Sequence, residues 1–180
     1  MIAIIDYDAG NIRSVEKALL ALGQDVTVTA DRDEILHADK VILPGVGAFG
    51  DAMEKLKQSG LDEVIREVTE KGTPFLGICL GLQLLFEHSD EAPGVEGLGI
   101  LKGEILRIPD KEGYKIPHMG WNSLHLENDG RLFKGIAENS YVYFVHSYYL
   151  KAEEEQIVKA STEYTTHIHA VSYTHLRAHE

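Results

Sequence analysis

The chain has 180 residues, 44% of them hydrophobic and 26% charged, the balance of a soluble globular domain with a substantial core. Its formal net charge of −12 at pH 7 argues against nucleic acid or an anionic membrane as the main partner, and no apolar run reaches the ~18 residues needed to span a bilayer. The single cysteine excludes an intrachain disulfide and fits a reducing compartment. Met1 leads directly into an apolar strand pattern, so no signal peptide and a cytoplasmic location are expected.

Residues 3–6 (AIID) read as a short buried strand. Ile12, Val15, Leu19 and Leu22 then recur at helical spacing, with Gly23 as the stop. Residues 25–29 (DVTVT) alternate with β-branched side chains and form a second strand. A short helix over 31–38 precedes a third strand, 40–43 (KVIL), which ends at Pro44. Strands alternating with helices predict βαβ units and a largely parallel sheet. The glycine-rich stretch 44–50 (PGVGAFG) follows. It lies at the carboxyl end of a strand, where open α/β sheets place ligands. Its backbone N–H groups either face an anion or developing oxyanion, or simply turn the chain into the next helix. The Gly-Lys-Ser/Thr ending of a phosphate loop is absent. Helices are predicted over 51–58 and 61–71, the second with Leu61, Val64, Ile65 and Val68 on one face and a stop at Gly72.

Residues 73–87 (TPFLGICLGLQLLFE) hold the only cysteine, Cys79. An apolar strand leads in and a helix-like run, 80–87, leads out. Gly77 and Gly81 stand two residues either side of Cys79, the spacing of a tight strand-to-helix elbow that holds a nucleophile out of the sheet. A thiolate at a helix N-terminus is favoured by the free N–H groups and the dipole. Two readings stay open on these residues alone: a nucleophile, or a small buried hydrophobe.

Past the elbow the pattern changes. Residues 90–99 are rich in Gly, Pro and acids and form a loop. Strands are expected over 101–108, 123–127, 141–150 and 156–161, with little helix between them, as antiparallel hairpins added to the parallel sheet. His118 and His146 read as structural histidines. His167 and His169 share one strand face, but two ligands make a weak metal signal, and no metal or cofactor is expected.

The stretch Gly-Ile-Cys-Leu-Gly-Leu-Gln around Cys79, with Pro-Gly-Val-Gly at 44–47, resembles the class I (triad) glutamine amidotransferases. Pro-His-Met-Gly-Trp-Asn at 117–122, Phe-Val-His-Ser-Tyr at 144–148, Asp6-Tyr7 and Gly10-Asn11 narrow the resemblance to the glutaminase subunit of imidazole glycerol phosphate synthase, over residues 1–171. That resemblance implies one glutamine amidotransferase domain with a mostly parallel central sheet flanked by helices. It implies that Cys79 attacks the carboxamide of glutamine, releasing ammonia and leaving a glutamyl thioester for water. The oxyanion would be held by N–H groups of Leu80 and of the loop at Val46 and Gly47. Gly47, Gln83, Glu91, Ser147 and Tyr148 match positions that contact glutamine. Asn11, with its loop 7–11, and Pro117, His118, Met119, Gly120, Trp121 and Asn122 would face the partner, a TIM-barrel cyclase subunit, in a heterodimer. Nucleic acid and membrane are not expected partners.

One feature departs from the family. Its base is the histidine of a His-Pro-Glu motif, oriented by the glutamate, and these 180 residues contain no His-Pro-Glu. Residues 172–180 (SYTHLRAHE) do not resemble the family, and adjacent His179 and Glu180 point opposite ways if extended. The polypeptide is therefore expected to be impaired, or to serve as a non-catalytic cyclase-binding subunit. Another cysteine amidohydrolase of similar fold is the remaining alternative.

Overall fold

Four apolar residues in a row, Ile2–Ile5, form β1, and all four are buried, as a strand covered on both faces requires. The computed structural model describes residues 1–8, 11–127 and 131–172. Gly10 and the tail past Ser172 lie outside the described residues. Backbone contacts divide the described residues into two units, Met1–Leu101 and a second from Lys102 to Ser172.

In the first unit β1 is followed by α1 (Ile12–Ala21), β2 (Val26–Thr29), α2 (Arg32–Leu36), β3 (Lys40–Gly45), α3 (Phe49–Ser59), α4 (Leu61–Glu70), β4 (Phe75–Cys79), α5 (Leu80–Gln83) and the short β5 (His88–Ser89). The sheet order is β2-β1-β3-β4 and every pairing is parallel, as the βαβ alternation predicts. Ile12, Val15 and Leu19 of α1 pack on Ile2, Ile4 and Ile42. Leu22, expected on the same face, is instead the C-cap and 72% exposed. In α4 the predicted face is buried as read, with Thr69 added to it. Gly60 joins α3 to α4 at φ 71°, a left-handed turn that a Cβ would strain.

Two local readings change. Pro44 and Gly45 belong to β3, so the glycine-rich loop begins at Val46. The helix after Cys79 is a single turn, α5, and not the run 80–87. Tight backbone turns, Leu85 N to Leu82 O at 3.2 Å and Phe86 N to Gln83 O at 3.1 Å, follow it. They bury Leu84 and Phe86 completely. One turn sums few peptide dipoles, so the helix-dipole support expected for a thiolate is small.

The second unit contains β6 (Gly103–Arg107), β7 (His118–Ser123), β8 (His125–Leu126), β9 (Tyr141–His146), β10 (Tyr148–Ala152), β11 (Val158–Glu163) and β12 (His167–Ser172). Its larger sheet runs β6-β10-β12-β11-β8, all antiparallel, while β7 and β9 form a separate two-stranded ribbon. The antiparallel strands thus build sheets of their own and do not extend the parallel one. The strand expected over 141–150 is broken at Ser147, with β9 in the ribbon and β10 in the larger sheet. Among the described residues, no helix is long and apolar enough to cross a membrane.

Candidate active site

Cys79 is the last residue of β4, with φ 56° and ψ −115°. Residues with a Cβ rarely enter the left-handed half of the map, and such a conformation persists only where its surroundings fix it. Three glycines do that here. A Cβ on Gly77 would stand 2.7 Å from Gly81 O and Leu82 N, and one on Gly81 only 1.9 Å from Leu43 O. A Cβ on Gly45 would stand 2.7 Å from Gly81 N. β3, β4 and the elbow therefore approach one another backbone to backbone. The thiol is exposed, which removes the buried-hydrophobe reading.

The parallel register pairs Gly45 with Cys79, so the 46–47 loop leaves β3 beside the cysteine. Val46 is 53% exposed and Gly47 has φ 99°, a turn for which glycine is the natural residue. Leu80 is buried. Gln83 ends α5, half-buried, one turn beyond the elbow. One oxygen of Glu91 accepts a hydrogen bond from Phe49 N at 3.0 Å, which ties the acidic loop to the start of α3 as an N-terminal carboxylate does. Asn11 is exposed at the start of α1, and its Oδ1 accepts from Ser14 Oγ at 2.7 Å.

The sequence reading missed Tyr7. Placed there on a partner-facing loop, its side chain is in fact buried, and its hydroxyl donates to the Pro44 carbonyl at 2.9 Å. Burial, with a contribution from Cys79, pushes the phenol up to about 12. A tyrosine one residue beyond a buried strand could have flagged it, because a buried hydroxyl needs a partner.

Ser147 and Tyr148 belong to the second unit, at the break between β9 and β10. The strand period sorts the 117–122 stretch. Pro117, Met119 and Trp121 are exposed, the last two at 60% and 68%. Gly120 and Asn122 are half-buried, and Asn122 Nδ2 donates to Glu163 O at 2.8 Å. Across the ribbon, Tyr141, Tyr143 and Val145 are also exposed, and Trp121 meets Tyr143 edge-on at 5.7 Å.

His118 departs from its expected place on the partner face: it is buried. Its ring stacks on Tyr164 at 3.9 Å and on Phe144 at 4.7 Å. Its Nδ1 lies 3.1 Å from His146 Nε2, and His146 Nδ1 lies 2.9 Å from Tyr148 O. A carbonyl only accepts, so His146 donates from Nδ1 and accepts from His118. Both rings are thus held neutral. Burial, then His146, lowers His118 to about 4, and burial lowers His146 as well. A base whose folded value lies below its ordinary 6.5 contributes stability that is present above pH 6.5 and lost as pH falls toward 4. Thermal melts should therefore show Tm dropping through that window, and His118→Phe, which keeps the stack, should make the drop shallower.

His167 and His169 lie 5.5 Å apart by ring centroids. His167 Nδ1 is bonded to Glu163, and His169 Nδ1 accepts from Ala152 N at 3.0 Å. Among the described residues, no group of three or more His, Cys, Asp or Glu is placed to hold a metal ion.

Comparison with known proteins places this geometry. The family model of class-I glutamine amidotransferases matches residues 3–179. The imidazole glycerol phosphate synthase subunit HisH of Moorella thermoacetica is 56% identical over 163 residues, which is 91% of this chain and 77% of that protein. HisH of Caldanaerobacter subterraneus is 53% identical over 95% of this chain and 83% of its own length. HisH 1 of Methanococcus maripaludis is 50% identical over 91% and 81%. A solved structure described as a glutamine amidotransferase superposes with TM-score 0.68 at 18% identity, over 89% of this chain and 79% of that one. PurLQS from Thermotoga maritima superposes with TM-score 0.66 at 21% identity, over 89% and 73%, and both attest the fold. The chain therefore belongs to the class-I glutamine amidotransferases and, among them, to the HisH subunits of imidazole glycerol phosphate synthase.

Proposed function

We propose that Cys79 attacks the side-chain carboxamide of glutamine, releases ammonia and leaves a glutamyl thioester that water hydrolyses, the ammonia passing to a cyclase subunit that makes imidazole glycerol phosphate in histidine biosynthesis. The observation that carries this reading is the exposed thiol on a strained elbow, with the 46–47 loop leaving the strand paired beside it. The oxyanion is held by N–H groups of Leu80 and of the Val46–Gly47 loop, each such donor typically worth ~3 kcal/mol in the transition state. Gly47, Gln83, Glu91, Ser147 and Tyr148 contact the glutamine, Glu91 by its charge toward the amino group. The partner is a TIM-barrel subunit, received as a heterodimer on Asn11 and the 117–122 stretch. There the exposed Met119 and Trp121 have the aromatic and soft apolar character of an interface core.

The base is the open point, since the 180 residues contain no His-Pro-Glu. A nucleophile of this kind needs a base held by a third group.

The glutamine site is tested independently of the base by an electrophilic diazoketone analogue of glutamine. The diazo carbon takes up a proton, the thiolate displaces N2, and a thioether forms. Peptide mass spectrometry should place the label on Cys79, with protection by glutamine. Labelling that glutamine does not slow would overturn the site.

A further inference from the structure

Tyr7 has no part in the chemistry above, yet its hydroxyl reaches the close contact between the end of β3 and the elbow. It donates to the carbonyl of Pro44 at 2.9 Å. It also lies 2.8 Å from where a Cβ on Gly45 would stand, a point that Gly81 N and the Leu80 side chain approach within 2.7 and 2.9 Å. Pro44 and Gly45 are the last two residues of β3, and Gly45 is the register partner of Cys79. The hydroxyl is therefore wedged between the strand end that releases the 46–47 loop and the elbow that presents the thiol.

A peptide unit is planar, so fixing the Pro44 carbonyl also fixes the direction of the Gly45 N–H and the rotation from which the next peptide starts. Glycine at 45 leaves that rotation soft. No side chain at 45 can stiffen it, because a Cβ does not fit. The restraint has to come from outside the loop. We infer that Tyr7 is a positioning residue: by holding the Pro44 carbonyl and filling the space between Gly45 and Gly81, it sets the direction in which the Val46–Gly47 loop offers its N–H groups to an oxyanion on the carbon attacked by Cys79. The inference rests on the reading of that loop as an oxyanion donor. Burial also suits the hydroxyl to this task. It stays protonated, and so stays a donor, from neutral well into alkaline pH.

The test compares the full chain with Tyr7→Phe, which keeps the ring and removes only the donor, using two electrophiles on Cys79. Iodoacetamide alkylates a thiol by direct displacement and needs no oxyanion site. The diazoketone analogue of glutamine carries a carbonyl that the loop must polarise. Tyr7→Phe is expected to react with iodoacetamide at the parent rate and to bind the analogue with an unchanged half-saturating concentration. Its limiting rate of labelling should fall by roughly ten-fold, a fraction of the ~10²-fold or more lost when a donor is removed outright. An unchanged limiting rate overturns the inference, as does an equal loss toward both electrophiles, which is what a merely structural role would give. If the parent chain itself is alkylated but not labelled by the analogue, the oxyanion reading fails and takes the inference with it. A second measurement uses the same two proteins. Alkaline titration of tyrosine absorbance should show a phenol ionising near pH 12 in the parent that is missing from Tyr7→Phe; its absence from the parent would overturn the burial of the Tyr7 hydroxyl on which the inference stands.

Discussion

Mixed with the cyclase subunit and saturating glutamine, a polypeptide of these 180 residues should release ammonia some ~10²–10⁴-fold more slowly than the HisH subunit of Moorella thermoacetica under the same conditions. The elbow supplies a nucleophile and the 46–47 loop supplies N–H donors, but a thiol attacking a carboxamide also needs its proton taken and then delivered to the leaving ammonia. No His-Pro-Glu is present to do this. Groups that act as a unit are not additive, so an intact elbow without its base retains only what binding and the oxyanion site contribute. Enzymatic detection of glutamate measures the rate. Cyclase activity supported by added ammonium salt, measured in the same tube, separates a silent glutaminase from a failed complex. Turnover at the relative's rate would overturn the expectation and would point to a base among residues not assigned here.

Gly81→Ala should destabilise the first unit by about 3 kcal/mol, the upper range for forcing extra atoms into a packed site. The added methyl would stand 1.9 Å from the Leu43 carbonyl oxygen, and that oxygen belongs to the central strand β3, which cannot swing aside as a flexible side chain does. For a chain of this size such a loss lowers Tm by roughly 6–12 °C. The label from the glutamine analogue should disappear with it, because the elbow must shift to admit the methyl. Gly50→Ala is the control. Its methyl would meet only side chains, Ala92 at 3.3 Å and Val95 at 3.9 Å, inside helix α3, where alanine is the better helix former. Circular dichroism melts of the two variants should differ clearly; equal Tm values would mean that β3 yields and the backbone-to-backbone contact does not fix the elbow.

That contact explains why the elbow was legible in the sequence. Gly77 and Gly81 are spaced as they are because two backbones touch there, and glycine is the only residue that permits it. The βαβ order was legible for a similar reason, since β1 and β3 are apolar runs long enough to be buried and are separated by amphipathic helices. The second unit was harder to read. β7 contains Gly120 and Asn122, both poor strand formers, and becomes a strand only because β9 pairs with it across a long loop. Apart from His146 and Ser147 the 141–150 run is apolar and aromatic, and two polar residues within a strand pattern do not mark Ser147 as the point where the chain changes sheets. β12 carries His167 and His169 and owes its form to pairing with β10 and β11. His118 was assigned to the partner face with its neighbours because they form one motif, yet a strand sends alternate side chains to opposite sides. Tyr7 was hidden because what it binds, the Pro44 carbonyl, lies 37 residues away in sequence.

The order β2-β1-β3-β4 also bears on how the molecule behaves in bulk. Among the described residues, Cys79 sits on the terminal strand of the parallel sheet, and within that sheet β4 is paired only with β3. Its outer rim therefore offers a row of backbone donors and acceptors, with Leu76 38% exposed. An open rim of this kind is a template for another strand. The twelve excess negative charges oppose self-association at low ionic strength, but salt screens that repulsion to about 10 Å at 0.1 M. The strand that carries the nucleophile is thus also an edge open to intermolecular β-pairing. Dilute, low-salt buffer and a reducing agent are the conditions that keep both its backbone edge and its thiol from reacting with a neighbour.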